Sequence, residues 1–530
     1  MQIHSSIRMS VQMIIVPLLF SICIATLSLG CQVKQHIEGE SFICVCNEEH
    51  CDSISTEPNS LDDHLTIFQT DKSSHRLAKS LIHVNDLITD SGEIADIHVL
   101  INATDRKQQI IGFGGAFTDA TGININKLPD SLADKLIEDY FGPNGLQYTV
   151  CRVVIGGSDF SDRPYSYDDV ENDFELKHFS LVNDDYQYKI KYIRKALNLT
   201  SDLKLFGSSW SPPTWLKTSG KFNGLGILKD EPGSIYWKTY ANYLVKFLQA
   251  YEALGINFWG LTPENEPNVG LNPGWRWNAL GFTGSMMRDF IKKDLGPALK
   301  AAGYDKEKLK MMIYDDNLSN LNYFINGIVN DPEAAQYVSG IAYHWYTRKY
   351  HEALSEAHYA HPEYFLLSTE ACEGFRSTEA HLTLGNWTRA ENIAADVIEG
   401  LNNWSNGWVD WNLVLDENGG PNWAGNWVDA FIFVNDSAPE YYKQPMFYAF
   451  GHFSKFLRPG STRVGHSISA GMVDENVKIT TFLSPSNDLI FTLLNRNQKS
   501  IKLSIAGFDE KPFLFTFEPR SITTIIKPLK

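Results

Sequence analysis

Between positions 110 and 412 the chain carries eight short apolar runs, each ending in polar or charged residues: 110–113, 149–155, 203–207, 258–262, 310–314, 340–343, 364–368 and 408–412. Amphipathic stretches of helical period separate them, among them 186–197, 235–251 and 284–300. Strand and helix alternating eight times predict an α/β fold, a closed (β/α)8 TIM barrel. A doubly wound sheet is the competing arrangement, but no Gly-x-Gly-x-x-Gly follows the first strand. The segment there reads Gly112-Phe113-Gly114-Gly115 and continues to Thr118-Asp119 without a Walker lysine. From about Ser461 the pattern changes. Runs at 477–482, 489–495, 500–505, 513–517 and 521–526 read as half-buried strands with no helices between them, an all-β second domain. Runs at 65–67 and 97–101, ahead of the barrel, can pair with it and bring the chain ends together.

The carboxyl ends of barrel strands carry the chemistry. The residues collecting there are Asp119, Asp159, Trp210, Glu264, Asn265, Glu266, Asp315, Asp316, His344, Trp345, Tyr346, Glu370, Trp411 and Asn412. Acids, amides and aromatics at every strand end resemble a sugar pocket, where flat rings stack on the apolar face of a pyranose. Cleaving a glycosidic bond with retention needs two carboxyl groups about 5–5.5 Å apart, one protonated to assist the leaving oxygen and one ionised to attack the anomeric carbon. Leu261-Thr-Pro-Glu264-Asn-Glu266-Pro267 ends strand four and Ser368-Thr-Glu370-Ala371 ends strand seven, across the mouth from one another. A lone strand-end glutamate is more often one half of a salt bridge, so it is the pair in these contexts that points to catalysis. Glu264 and Glu266 lie two residues apart, on the same side of an ideal strand, so spacing alone does not choose between them. Arg152, on strand two beneath Asp159, reads as a buried partner for the site carboxylates, His344 as a residue behind the site and Tyr346 as a neighbour that holds Glu370.

Composition narrows the partners. A net charge of −17, from 46 basic and 63 acidic residues, disfavours a nucleic-acid binder, which needs a basic stripe. Residues 1–30 read as a secretory signal: one charge, Arg8, then an apolar run at 11–20 and a stretch rich in small residues. Cys31, Cys44, Cys46 and Cys51 cluster as a disulfide knot with three possible connectivities, leaving Cys151 and Cys372 as unpaired buried thiols. Asn102, Asn198, Asn317, Asn386, Asn403 and Asn435 open Asn-x-Ser/Thr acceptors, in keeping with passage through a glycosylating compartment.

Longer motifs carry a resemblance. Gly112-Phe-Gly-Gly-Ala-Phe-Thr-Asp119, Trp210-Ser-Pro-Pro-Thr-Trp-Leu-Lys-Thr218, Asn265-Glu266-Pro267, Ala342-Tyr-His-Trp-Tyr346, Ser368-Thr-Glu370-Ala-Cys372, Asp410-Trp-Asn-Leu413, Gly419-Gly-Pro-Asn-Trp423, Tyr442-Lys-Gln-Pro-Met-Phe-Tyr448 and Gly451-His-Phe-Ser-Lys-Phe456 resemble glycoside hydrolase family 30, and within it the lysosomal glucosylceramidases. The resemblance spans nearly the whole chain after residue 30. It implies a barrel of 107–412 plus 446–460, a β-sandwich of 57–106 plus 461–530, and a small antiparallel β domain of 31–56 plus 413–445 stapled by Cys31–Cys44 and Cys46–Cys51. It implies Glu370 as nucleophile and Glu266 as acid/base, with Glu264 as support, and Asp159, Trp210, Asn265, Trp411 and Asn426 as glucose contacts. It implies glucosylceramide or another β-glucoside as substrate, a lysosomal or secreted location, and transient contact with an anionic lipid surface aided by a saposin-like activator. No metal or organic cofactor is implied, because two carboxylates suffice. Relatives acting on β-1,6-glucan or xylan, and a sugar-binding protein without activity, are the alternatives. Three positions depart from the glucosylceramidase pattern: Asn317-Leu318 in place of Gln-Arg, Trp275 in place of Tyr, and Glu373 in place of Val. They are expected at the rim of the site or behind it, where they bear on aglycone preference and pH optimum.

Overall fold

A computed structural model describes residues 30–34, 40–54, 63–87, 94–471, 474–507 and 511–529. The secretory-signal expectation lies, but for Gly30, outside the described residues. Eight parallel strands close a barrel in chain order: β1 (Gly112–Phe117), β2 (Val150–Ile155), β3 (Lys204–Ser209), β4 (Gly260–Thr262), β5 (Lys310–Asn317), β6 (Val338–His344), β7 (Phe365–Glu370) and β8 (Ser405–Asn412). Each of the eight predicted runs overlaps one strand. The stretch at 284–300 is not one regular helix: it forms helices Gly284–Phe290 and Gly296–Ala301 joined by the wider turn Ile291–Leu295.

The barrel interior is layered by the two-residue period of a strand. Val150, Phe206, Met312, Ala342, Leu367 and Val409 form one fully buried apolar layer. Two residues on, toward the carboxyl ends, stand Arg152, Ser208, His344, Thr369 and Trp411, so a polar layer rests on the apolar one. β5 breaks the period. Its register slips between Tyr314 and Asp316, and both Tyr314 (φ 80°) and Asp315 (φ 54°) take left-handed backbone. The bulge brings Asp315 into hydrogen bonding with Arg152 and His344, while the Tyr314 hydroxyl turns back to donate to the Asn317 carbonyl.

The second domain is a β-sandwich whose nine strands hydrogen-bond continuously, in the order Phe513–Phe517, Ile501–Ala506, Ile97–Gln109, Thr462–Gly471, Val477–Leu483, Asp488–Asn495, Ser521–Pro528, His64–Asp71, Ala78–His83. Strand Ile97–Gln109 carries the sandwich past the boundary expected at 106 and leads straight into β1. A small five-stranded sheet runs Gln32–Lys34, Ile43–Cys46, Tyr441–Lys443, Ile432–Val434, Val414–Asp416. Three of its four strand pairs are antiparallel; the fourth corrects that expectation, since Val414–Asp416 and Ile432–Val434 pair in parallel because the segment between them crosses over instead of closing a hairpin. Disulfides Cys31–Cys44 and Cys46–Cys51 tie its amino-terminal edge, and Cys151 and Cys372 are free and buried. Among the described residues no helix is long and apolar enough to cross a membrane.

Candidate active site

At the carboxyl ends of the strands a cavity of about 230 Å³ is lined by Asp159, Trp210, Asn265, Glu266, Trp275, Trp277, Asn317, Tyr346, Glu370, Cys372, Phe375, Trp411, Asn426 and Val428. It is smaller than the ~300–1,000 Å³ of most drug-sized ligand sites and suits a single sugar ring. All seven residues expected to act on or bind glucose are among its walls. Arg152, Glu264 and His344 lie behind it.

Arg152 organises the floor. Completely buried, it donates Nη1 to Glu370 Oε2 (2.5 Å), Nη2 to Asp315 Oδ2 (2.7 Å) and to Asn265 Oδ1 (2.8 Å), and Nε to Ser208 Oγ (3.0 Å). Its guanidinium lies 4.6 Å from the Trp210 ring centre and 5.5 Å from that of Trp411. These two indoles stack with centroids 5.0 Å apart, giving a flat apolar wall above a cation. Burial alone would raise the Asp315 carboxyl, but Arg152, with donors from His344 and Thr262, holds it well below the usual carboxylate range. Thr369 Oγ1 also donates to Asp315, at 2.6 Å.

Glu370 ends β7, and its second oxygen, Oε1, accepts from the Tyr346 hydroxyl at 2.7 Å. Burial pushes Tyr346 well above the ordinary phenol value, so it remains a donor. Behind the opposite wall His344 spans two carboxylates, with Nδ1 3.3 Å from Glu266 Oε1 and Nε2 3.1 Å from Asp315 Oδ1. Burial opposes the charging of His344, but Glu370, Asp315 and Glu266 together lift its pKa to about 10, so both nitrogens donate. One carboxylate oxygen of Glu266, one of Glu370 and a ring nitrogen of His344 all lie within 4.8 Å of one another.

Glu264 and Glu266 part company here. β4 stops at Thr262, so the same-side rule of a strand does not reach them. Glu266 takes a left-handed backbone (φ 45°), its amide donates to the Asp315 carbonyl (2.9 Å), and its carboxylate enters the cavity. Glu264 instead accepts from the buried Tyr240 hydroxyl at 2.5 Å and lies off the cavity. Burial pushes it well above the carboxylate range against the opposing Tyr240 hydrogen bond and Lys217 charge.

Asp159 accepts from Asn426 Nδ2 (2.8 Å) and Asn422 Nδ2 (3.4 Å), and burial raises it to about 7 against those two donors. Asn422 was not anticipated as a site residue; its side-chain Oδ1 accepts the Ala424 and Asn426 amides and so folds the loop that presents Asn426. Cys372, Trp277, Phe375 and Val428 also line the cavity without a distinct sequence signal. Of the three departures, Trp275 and Asn317 do stand at the cavity wall, and Asn317 Nδ2 lies 3.4 Å from Glu266 Oε1. Glu373 does not reach the rim: it is buried and paired with Arg348 at 2.9 Å. Asp119 lies off the cavity, bound by Ser161 (2.6 Å) and Tyr165 (2.9 Å).

Comparison with known proteins agrees with this geometry. The glycosyl hydrolase family 30 TIM-barrel domain matches residues 110–457, and the family 30 beta sandwich domain matches 460–525. The lysosomal acid glucosylceramidase of Mus musculus is 40% identical over 483 residues, 90% of this chain and 92% of that protein. Among solved structures, the endo-beta1,6-glucanase BT3312 superposes with a TM-score of 0.76 at 26% identity, covering 88% of this chain and 99% of its own. SrfJ from Salmonella typhimurium, at 24% identity, shares the fold with a TM-score of 0.79 over 88% of this chain and 100% of its own. Barrel, sandwich and the match across both domains make this chain a glycoside hydrolase, and it belongs to glycosyl hydrolase family 30.

Proposed function

We propose that the protein is a retaining β-glucosidase that hydrolyses glucosylceramide to glucose and ceramide. The observation that carries this is the approach of the Glu266 and Glu370 carboxylates to within 4.8 Å, oxygen to oxygen, over a cavity sized for one sugar. A retaining enzyme places its carboxyl groups about 5–5.5 Å apart, whereas an inverting one leaves about 6.5–9.5 Å for a water. Glu370, ion-paired to Arg152 and hydrogen-bonded by Tyr346, attacks the anomeric carbon. Glu266 protonates the departing oxygen, and then draws a proton from the water that releases glucose from the glucosyl–Glu370 ester. Asp159 with Asn426, and Asn265, hold sugar hydroxyls, while Trp210 and Trp411 supply the apolar wall. The preference for glucosylceramide is supported by the mouse relative, similar over almost its full length. In that reading the protein enters the secretory route through residues 1–30, reaches lysosomes or the exterior, and meets its lipid at an anionic membrane surface with an activator protein.

The second reading is cleavage of β-1,6-glucan, favoured by the likeness to the endo-beta1,6-glucanase BT3312. Steady-state kinetics at mildly acidic pH on glucosylceramide in mixed micelles, β-1,6-glucan and xylan separate the two. The proposal expects kcat/KM to be highest on glucosylceramide; a higher value on β-1,6-glucan would replace it. Glu266→Gln is expected to lower kcat about 10²–10⁴-fold. Glu370→Gln is expected to abolish turnover, and exchange of Glu370 for Gly to restore it with added azide; full activity in Glu266→Gln or Glu370→Gln would remove that residue from the mechanism.

A further inference from the structure

Away from the catalytic mouth, a second cavity of about 560 Å³ opens at the seam between barrel and sandwich. Three elements build it. The turn Arg348–Tyr350 follows β6, the helix Trp387–Asn402 crosses the floor, and the sandwich contributes Lys478 and Arg496. Its walls hold four permanent cations, Arg348, Lys349, Lys478 and Arg496, together with His351.

The acids in the same walls are mostly engaged. Asp396 takes His351 on Oδ1 (3.0 Å) and the Trp408 indole on Oδ2 (2.9 Å). Glu399 takes Lys478. Glu352 stays exposed at the edge. Among the described residues Arg496 hydrogen-bonds no carboxylate: its Nη2 donates to the Asn392 side-chain oxygen at 2.9 Å. Arg348 uses Nη2 on Glu373 (2.9 Å) and lays its guanidinium 3.6 Å from the Trp345 ring centre. The Nε groups of Arg348 and Arg496 are both buried with no hydrogen-bond partner among the described residues. Both arginines line the cavity and neither guanidinium has all its donors satisfied, which leaves room for an acceptor. Burial is the main cause that lowers Arg496; Glu391 and Glu373 raise it, and Arg348 and Arg520 lower it, so the carboxylates nearby are shared among several guanidinium groups.

We propose that this seam cavity binds a phosphate-type oxyanion between Arg348 and Arg496. A tetrahedral dianion offers several acceptor oxygens to two planar guanidinium forks at once, which one carboxylate cannot do. Held from the barrel by Arg348 and from the sandwich by Arg496, the anion ties the two domains together. The oxyanion can be free phosphate or the phosphomonoester headgroup of a lipid.

Arg496→Gln is the informative variant, because Arg348 touches Trp345 and Glu373 beside the catalytic strand ends and Arg496 does not. Calorimetric titration of the full-length protein with inorganic phosphate is expected to show one saturable site, and Tm is expected to rise with phosphate. Arg496→Gln should weaken that affinity at least about tenfold, and Arg496→Lys, which keeps the charge without the fork, by less. Flotation with phosphatidic acid vesicles, against phosphatidylcholine vesicles, distinguishes the sources. Soluble phosphate binding with vesicle binding indifferent to Arg496 assigns the free ion, whereas Arg496-dependent binding to phosphatidic acid alone assigns the headgroup. Absence of both, or equal phosphate affinity in Arg496→Gln, overturns the proposal. Should Arg496→Gln not fold, Arg496→Lys carries the test, and unchanged phosphate affinity in it overturns the proposal. None of these readouts depends on the glucosidase reading.

Discussion

Tyr346 reaches Glu370 by one hydroxyl, and that contact is separable from the rest of the site. Tyr346→Phe removes a hydrogen bond to a charged group, worth about 1.5–3 kcal/mol, so kcat is expected to fall roughly 10–100-fold while the fold persists. A fall in stability with unchanged kcat would make Tyr346 structural only. Asp159 supplies a pH signature. Its folded pKa, raised by burial to about 7, lies above the unfolded value of about 3.9. Between these values the native state holds a proton the unfolded chain has lost, so its contribution to stability is complete below about pH 4 and declines as pH rises toward 7. The buried His452, lowered by desolvation to about 3, acts in the opposite sense: it weakens the fold as pH falls through the unfolded histidine value. The clean measurement is therefore a difference. Asp159→Asn should gain stability relative to wild type as pH rises from 4 to 7 in denaturant titrations, and a constant difference would contradict the raised pKa.

At the scale of elements, close strand contacts decide what a glycine can become. A Cβ added at Gly114 would stand 1.6 Å from the Val150 carbonyl oxygen, which is backbone; one at Gly115 would meet the Leu413 side chain at 2.7 Å. Overpacking costs about 1–3 kcal/mol where side chains can yield, and more where they cannot. Gly114→Ala is expected to abolish recovery of folded protein and Gly115→Ala to lower Tm by a few degrees; equal behaviour would contradict the close approach of β1 and β2. The same elements show what a sequence can disclose. The eight barrel strands were legible because each is a continuous apolar run ending in polar residues. The inward layer of Val150 and Arg152, or Ala342 and His344, follows from the two-residue period. The bulge at Tyr314–Asp315 was not legible, since a left-handed non-glycine backbone leaves no mark in composition, and it is this bulge that aims Asp315 at Arg152. Glu264 and Glu266 were indistinguishable by spacing for a related reason: the strand ends two residues before the first of them. Strand Thr462–Gly471 escaped notice because its serines, glycines and His466 lack apolar alternation, its place being set by pairing with Ile97–Gln109.

At the scale of the whole molecule, the sandwich is assembled from both flanks of the barrel. His64–Asp71 pairs with Ser521–Pro528, and Ile97–Gln109 lies between Thr462–Gly471 and Ile501–Ala506. Removing 461–530 would strip partners from two strands on the amino-terminal side and expose the apolar sandwich core. The truncated chain is expected to aggregate, and the intact one to melt in a single calorimetric transition; a soluble, active barrel lacking 461–530 would show the domains to be independent. This joint construction ties the start of β1 to β8, where Asn406 Nδ2 donates to the Gln109 carbonyl and the Ile111 amide to the Asn406 carbonyl. The most direct measurement on the functional reading is covalent trapping with a 2-deoxy-2-fluoro-β-glucoside bearing a good leaving group, followed by peptide mass spectrometry. The account predicts a fluoroglucosyl adduct on Glu370 and loss of activity in step with labelling. Hydrolysis that continues without an adduct, or an adduct on any other residue, would contradict it.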